Sequence, residues 1–136
     1  MPHTTIYIRE ADRRLLARCR SLNEDIKEWN KCLPEQKVIE LLSQLNLDEL
    51  PRRNRAMVKA ILWGKGKLEE KQAELDRIVI KAEKAAHRIE NEKTRRVAKL
   101  YCLDGLDSGE VAKQCSFSRA TACKYIRLLN KKSESV

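Results

Sequence analysis

The sequence predicts an all-α fold: amphipathic, coiled-coil-like helices first, then a C-terminal module of three short helices. Composition is the first reason. The 136 residues include only 4 Gly and 3 Pro, 36% are charged and 4% are aromatic. Sheets require more turn residues and more aromatic and β-branched side chains than this. Periodicity is the second. Leu15, Cys19, Leu22, Ile26, Trp29 and Leu33 recur at intervals of four and three, which puts them on one stripe of a helix. The third is a set of helix stop and start signals between Gly105 and Ser118.

The first helix begins near Ala11 and ends at Pro34, which also suits the first turn of the next helix. Ahead of it, "MPHTTIYI" reads as a frayed or briefly extended piece. Residues 35–47 place Val38, Leu41, Leu42 and Leu45 on a second apolar face, and "NLDELP" is a connector. Pro51 opens a third helix carrying Met57, Ile61 and Leu62. "WGKGK", Trp63 to Lys67, then breaks the pattern as a hinge, since each glycine weakens a helix by about 1 kcal/mol. It lacks the following Ser or Thr and the spacing of a phosphate-binding loop. Beyond it Leu68, Leu75, Ile78, Ala82, Ala85 and Ile89 hold an a/d register. Two arrangements fit: a coiled-coil arm pairing within or between chains, or a long amphipathic helix packed on the first. Trp29 and Trp63 read as core anchors.

From Arg95 the helices shorten. Val97, Leu100, Tyr101 and Leu103 share a face, and Gly105 is placed to end their helix in the left-handed conformation. Asp107 as N-cap with Glu110 three residues on begins another helix with a capping box. Val111, Ala112 and Cys115 give it a small, close-packing face. Ser116 and Phe117 make a turn, with Phe117 as its apolar plug, and Ser118 caps a last helix through Ala122, Ile126 and Leu129. Arg119, Ala120, Cys123, Lys124 and Arg127 are left facing outward. Small and basic residues on an exposed helix fit a major groove, where Arg and Lys reach guanine edges and phosphates.

Charge points the same way. The net charge is +9. Residues 1–50 carry 8 basic and 9 acidic side chains, residues 51–94 carry 12 and 7, and residues 95–136 carry 9 and 4. A polyanion surface belongs in the second half. The cluster "PRRNR" adds Arg52, Arg53 and Arg55 as phosphate contacts beside the groove-bound helix, or as a solvated helix start.

Over "LYCLDGLDSGEVAKQCSFSRATACKYIRLLNK" the chain resembles the helix-turn-helix of sigma-70 region 4-like proteins. Tyr101, Gly105, Leu106, Glu110, Val111, Ala112, Ser118, Arg119 and Thr121 fall in register with that pattern. In overall architecture the chain is similar to small phage and prophage transcription regulators of the ArpU/RinA type. The resemblance implies groove- or phosphate-facing roles for Ser118, Arg119, Lys124 and Arg127, and apolar base contacts for Ala120 and Cys123. It implies phosphate contacts for Thr121 and for the amides at the start of the Ser108 helix. Two positions depart from the pattern: Ser116 stands at the usual turn glycine and Ala122 at the usual valine or isoleucine.

The expected organisation is a helical arm at 1–93 for dimerisation or partner binding, a DNA-binding domain at 94–132 with its recognition helix at 118–130, and a tail at 133–136. The expected function is sequence-specific recognition of double-stranded DNA as a phage-type transcription regulator. An RNA polymerase contact and a homodimer through the long helices accompany that reading. Two alternatives stand beside it: a small terminase-like packaging or assembly protein, and a helical protein-binding adaptor or inhibitor of a nucleic-acid enzyme. No catalytic set is legible, with His3 in the N-terminal tail and His87 on a charged face, so an enzyme is not expected. Five cysteines at 19, 32, 102, 115 and 123 have no close ligand pairing, so neither a metal nor a cofactor is expected, and the thiols read as reduced small apolar residues. With no signal-peptide pattern and no run near the ~20 apolar residues of a membrane span, a nucleoid-associated cytoplasmic protein is expected, away from membranes.

Overall fold

The computed structural model describes residues 8–130. His3, most of "MPHTTIYI", the tail at 133–136 and the last two residues of the expected DNA-binding domain lie outside them. Among the described residues the protein is all-helical. The helices are α1 (Glu10–Cys32), α2 (Gln36–Ser43), α3 (Arg52–His87), α4 (Glu92–Ala98), α5 (Ser108–Cys115) and α6 (Arg119–Asn130). A 3-10 turn at Leu47–Glu49 precedes α3, and α4 runs on through a π-helical segment, Lys99–Leu103. No helix among these residues is long and apolar enough to cross a membrane.

α1 and α3 form an antiparallel hairpin. Trp29 meets Trp63 edge-on at 5.8 Å, although Trp63 is exposed and not the core anchor expected. Lys71 pairs with Asp25 at 3.3 Å, Arg18 pairs with Glu74, and Arg88 grips Asp12 through two hydrogen bonds of 2.9 and 2.6 Å. The long a/d stripe therefore packs on α1 of the same chain. Ala82, Ala85 and Ala86 of α3 are fully buried.

The hinge expected at "WGKGK" is absent, because α3 runs unbroken through both glycines. Gly64 is a site of close approach. A Cβ there would lie 3.0 Å from Trp29 Cζ3 and 3.1 Å from Leu33 Cδ2. Packing of the Trp29 indole against bare backbone outweighs glycine's helix penalty of about 1 kcal/mol.

The apolar face expected on α2 is also revised. Ile39 is the buried residue and Leu42 is half-buried, whereas Val38, Leu41 and Leu45 face outward. α1 ends at Cys32, so α2 has α3 as its main neighbour and buries only the flank that meets it. On α3, Ile61 and Leu62 of the expected face are half-buried, but Val58 is buried where Met57 was expected and Met57 is exposed. Ile89 lies just past the C-cap of α3, yet it remains buried.

α4 begins two residues before the expected domain boundary, with Asn91 Oδ1 accepting from the Thr94 amide at 3.0 Å. The boundary at residue 93 divides no core. Leu16 and Cys19 of α1, Ala82 to Ala86 of α3, and Val97, Val111, Ala122 and Leu129 belong to one apolar cluster.

Two predictions follow from the hairpin. Gly64→Val should lower stability by about 1–3 kcal/mol through overpacking, whereas Gly66→Ala, whose Cβ would meet nothing within 4 Å, should raise it by about 0.5–1 kcal/mol; urea unfolding checks both. The Arg88 hydrogen bonds hold the buried Asp12 carboxyl below its ordinary value. A carboxyl lowered in the folded state stabilises at neutral pH and loses that contribution as acid protonates it. The stability advantage of wild type over Asp12→Asn should therefore be full near pH 7 and shrink as pH falls through and below the ordinary carboxylate range.

Candidate nucleic-acid interface

The terminal helices are assembled by local signals. Gly105 sits at φ +71°, ending the α4 stretch in the left-handed region. A side chain there would be doubly excluded, since its Cβ would lie 3.1 Å from the Asn23 Cβ. α5 opens on a complete capping box: the Glu110 amide donates to Asp107 Oδ1 at 2.8 Å, and the Asp107 amide donates to Glu110 Oε1 at 3.3 Å. Hydrogen bonds from the Glu110 amide, and less from the Gly109 amide, hold the Asp107 carboxyl below its ordinary value.

α5 closes in a Schellman motif. The Phe117 amide donates to the Ala112 carbonyl at 2.8 Å and the Ser116 amide to the Lys113 carbonyl at 3.3 Å, with Ser116 left-handed at φ 56°. Ser118 then caps α6, its Oγ accepting from the Thr121 amide at 3.1 Å. Phe117 stacks on Tyr125 with ring centroids 5.4 Å apart. That pair adds the apolar mass that Ala122, fully buried at the base of α6, does not supply.

The π-helical segment revises the expected face of α4. Asp104 donates its amide to the Lys99 carbonyl, five residues back, at 2.9 Å. The wider turn shifts the helical phase, so Val97, Ala98 and Cys102 are buried while Leu100, Tyr101 and Leu103 are only partly covered. Burial pushes the Cys102 thiol up to about 12, with Cys19 adding to the effect. This cysteine is an apolar core residue rather than a reactive one.

Side chains of α1 close the carbonyl end of this segment. Arg20 donates to the carbonyls of Tyr101 at 2.9 Å and Leu106 at 2.7 Å. Asn23 donates to those of Cys102 at 2.9 Å and Leu103 at 3.2 Å, and Lys27 donates to that of Gly105. The Arg20 guanidinium also lies 3.9 Å from the Tyr101 ring centroid. At the far end of α6, buried Arg13 donates to the Leu129 carbonyl at 3.0 Å.

With its apolar flank so fixed, α6 presents the other. Ser118, Arg119, Ala120, Lys124 and Arg127 are exposed, while Thr121 and Cys123 are half-covered. Ser108, at the start of α5, joins Cys123 and Arg127 around a cleft of about 420 Å³ whose other walls are Arg20, Tyr101, Asp107 and Ile126. Of the expected contact residues, Ser108, Cys123 and Arg127 are thus brought together, while Ser118, Arg119, Ala120, Thr121 and Lys124 lie outside this cleft.

The "PRRNR" cluster is not with them. α3 carries Arg52 and Arg53 about 50 Å from the buried alanines at its other end. Arg55 is engaged elsewhere, donating to the carbonyls of Leu47 and Leu50 at 3.0 and 3.2 Å and closing the turn before α3. Arg52 and Arg53 lie at the end of α3 away from the core shared with α6, and not beside α6 as expected of phosphate contacts. Other basic side chains, which no local motif marks in the sequence, do lie near the terminal helices. Arg95, Arg96 and Lys99 line a second cleft with His87 and Glu92, and Arg96 donates to the Gln114 carbonyl at 2.8 Å beside the α5–α6 turn.

No protein-family model, curated protein or solved structure matches the chain. The functional reading rests on the residues themselves.

The strained turn supplies a prediction. Ser116→Gly removes the left-handed penalty of an L side chain and should raise stability by about 1 kcal/mol in thermal or urea unfolding. The arrangement of α5 and α6 should be unchanged.

Proposed function

We propose that this protein binds double-stranded DNA sequence-specifically through a helix-turn-helix formed by α5 and α6, and that it acts in the cytoplasm as a transcription regulator of the phage type. The observation that carries the reading is the division of α6. Ala122, Ile126 and Leu129 are buried, and the opposite flank is small and cationic with its Arg and Lys side chains exposed. A helix with such a flank can approach base edges without bulky obstruction and meet phosphates with charge.

In this reading Arg119, in the first turn of α6, reads a base edge. Lys124 contacts phosphate, Arg127 contacts phosphate or guanine, and Ala120 and Cys123 pack against thymine methyls. Ser108 and the first amides of α5 receive a backbone phosphate, which helix N-termini favour. Arg20, held over Tyr101 and paired with Glu24 at 2.7 Å, forms a fixed wall of the same cleft. The role is one of binding, without a catalytic step, and an RNA polymerase contact would fall to the hairpin.

Gel retardation with duplex fragments tests the proposal. Arg119→Ala should cost about 1–3 kcal/mol of binding and change the preferred base at one position. Lys124→Ala should weaken all sequences alike and reduce the salt slope by about 1. Arg52→Ala with Arg53→Ala, at the other end of α3, should leave base preference intact. Folded protein that retards no duplex at low salt would end the proposal.

A further inference from the structure

Six large apolar side chains are conspicuously exposed among the described residues: Val38, Leu41, Leu45, Met57, Trp63 and Ile80. All but Ile80 belong to α2, the residues just after it and the first third of α3, at the end of the hairpin away from α4–α6. The exposure is large: 65% for Leu41 and 61% for both Met57 and Trp63. Solitary exposed apolar residues are ordinary, but a concentration of five within twenty-six residues marks an interaction surface.

The charges around it identify the partner. Residues 35–49 carry Glu35, Glu40, Asp48 and Glu49 against a single Lys37. Residues 51–67 carry Arg52, Arg53, Arg55, Lys59, Lys65 and Lys67 and no acid. Arg55 is committed to the Leu47 and Leu50 carbonyls, and the remaining cations of this stretch form no ion pair to α2. The same end of the hairpin thus carries an acidic stretch and a basic stretch, with exposed apolar residues in both. A two-fold axis sets the acidic half of one copy against the basic half of the other, because the same patch meets itself in reverse.

We infer that this end of the hairpin is the dimer interface, pairing with a second copy of the chain through α2 and the start of α3. The inference deepens the proposed function by naming a partner, and it rests on that reading only for the purpose the dimer serves. On α3 the patch residues Met57 and Trp63 lie roughly 40 and 30 Å from Ala85, which packs in the core shared with α4–α6. Pairing there leaves the cationic flank of α6 free in both copies, and the spacing of two DNA half-sites is then set by the hairpins.

Sedimentation equilibrium of the full chain without DNA tests this. The wild type should be a dimer at micromolar concentration. Leu41→Lys with Met57→Lys should be monomeric there, with an unchanged far-ultraviolet circular dichroism spectrum. A second pair of variants removes any question of folding, since all four positions are exposed. Glu40→Lys with Glu49→Lys, and Arg52→Glu with Arg53→Glu, should each dissociate alone, and an equimolar mixture should restore the dimer. A wild type that stays monomeric, a ring of many copies, or a dimer indifferent to Leu41→Lys would overturn the inference. The DNA reading is judged separately: a dimer that retards no duplex counts against that reading and leaves the interface standing.

Discussion

The hydrogen bonds from α1 to the carbonyl end of the Lys99–Leu103 segment are the constraint on which the rest depends. A helix ending in a wide π turn and a left-handed glycine leaves several carbonyls pointing away from its own axis. Arg20, Asn23 and Lys27 supply donors to five of them. Each of these carbonyls, left dry, would cost about 1–3 kcal/mol. The three donors are spaced three and four apart, so one face of α1 serves them all, and the contact fixes α4 in both position and rotation. The Arg20 guanidinium stacked on Tyr101 adds a directional contact that a lysine would not reproduce.

From that anchor the orientation of α6 follows. Val97, Ala98 and Cys102 turn inward, and Val111 and Ala112 of α5 join Ala122, Ile126 and Leu129 in one core with α1 and α3. Arg13 holds the last carbonyl of that stripe. The basic flank of α6 is therefore exposed because its opposite flank is consumed. The chain is not a reading head on a loose arm: the hairpin supplies part of the head's core and most of the caps at one of its helix ends. The exposed apolar residues gather at the other end of α3, so the two surfaces do not compete.

The terminal helices were readable in sequence because their signals are local. Gly105, the Asp107–Glu110 box, Phe117 and Ser118 each act within a few residues of themselves, and each does what its chemistry implies. What depended on distant partners was not readable. The glycines of "WGKGK" carry the signature of a break, yet Gly64 is there for the Trp29 ring, which lies thirty-five positions earlier. The α2 stripe looks inward-facing in sequence because apolar residues usually are, but a helix with one main neighbour buries one narrow flank. "PRRNR" looked like a phosphate grip, and one of its arginines closes a turn instead. Arg20, Asn23 and Lys27 each follow a residue of the apolar stripe by one, at Cys19, Leu22 and Ile26. That second, polar stripe was present in the sequence, but nothing in it pointed to the carbonyls it serves. The π turn left no trace in the spacing.

Native-state hydrogen exchange across a denaturant series tests the central claim that the hairpin and the terminal helices stand as one unit. The account predicts that core amides of α1, of α3 near Ala85, and of α6 near Ile126 converge on a single opening free energy. If the α6 amides open at distinctly lower cost while α1 and α3 remain protected, the head is an independent domain, and the anchoring by Arg20, Asn23 and Lys27 does not have the role assigned to it.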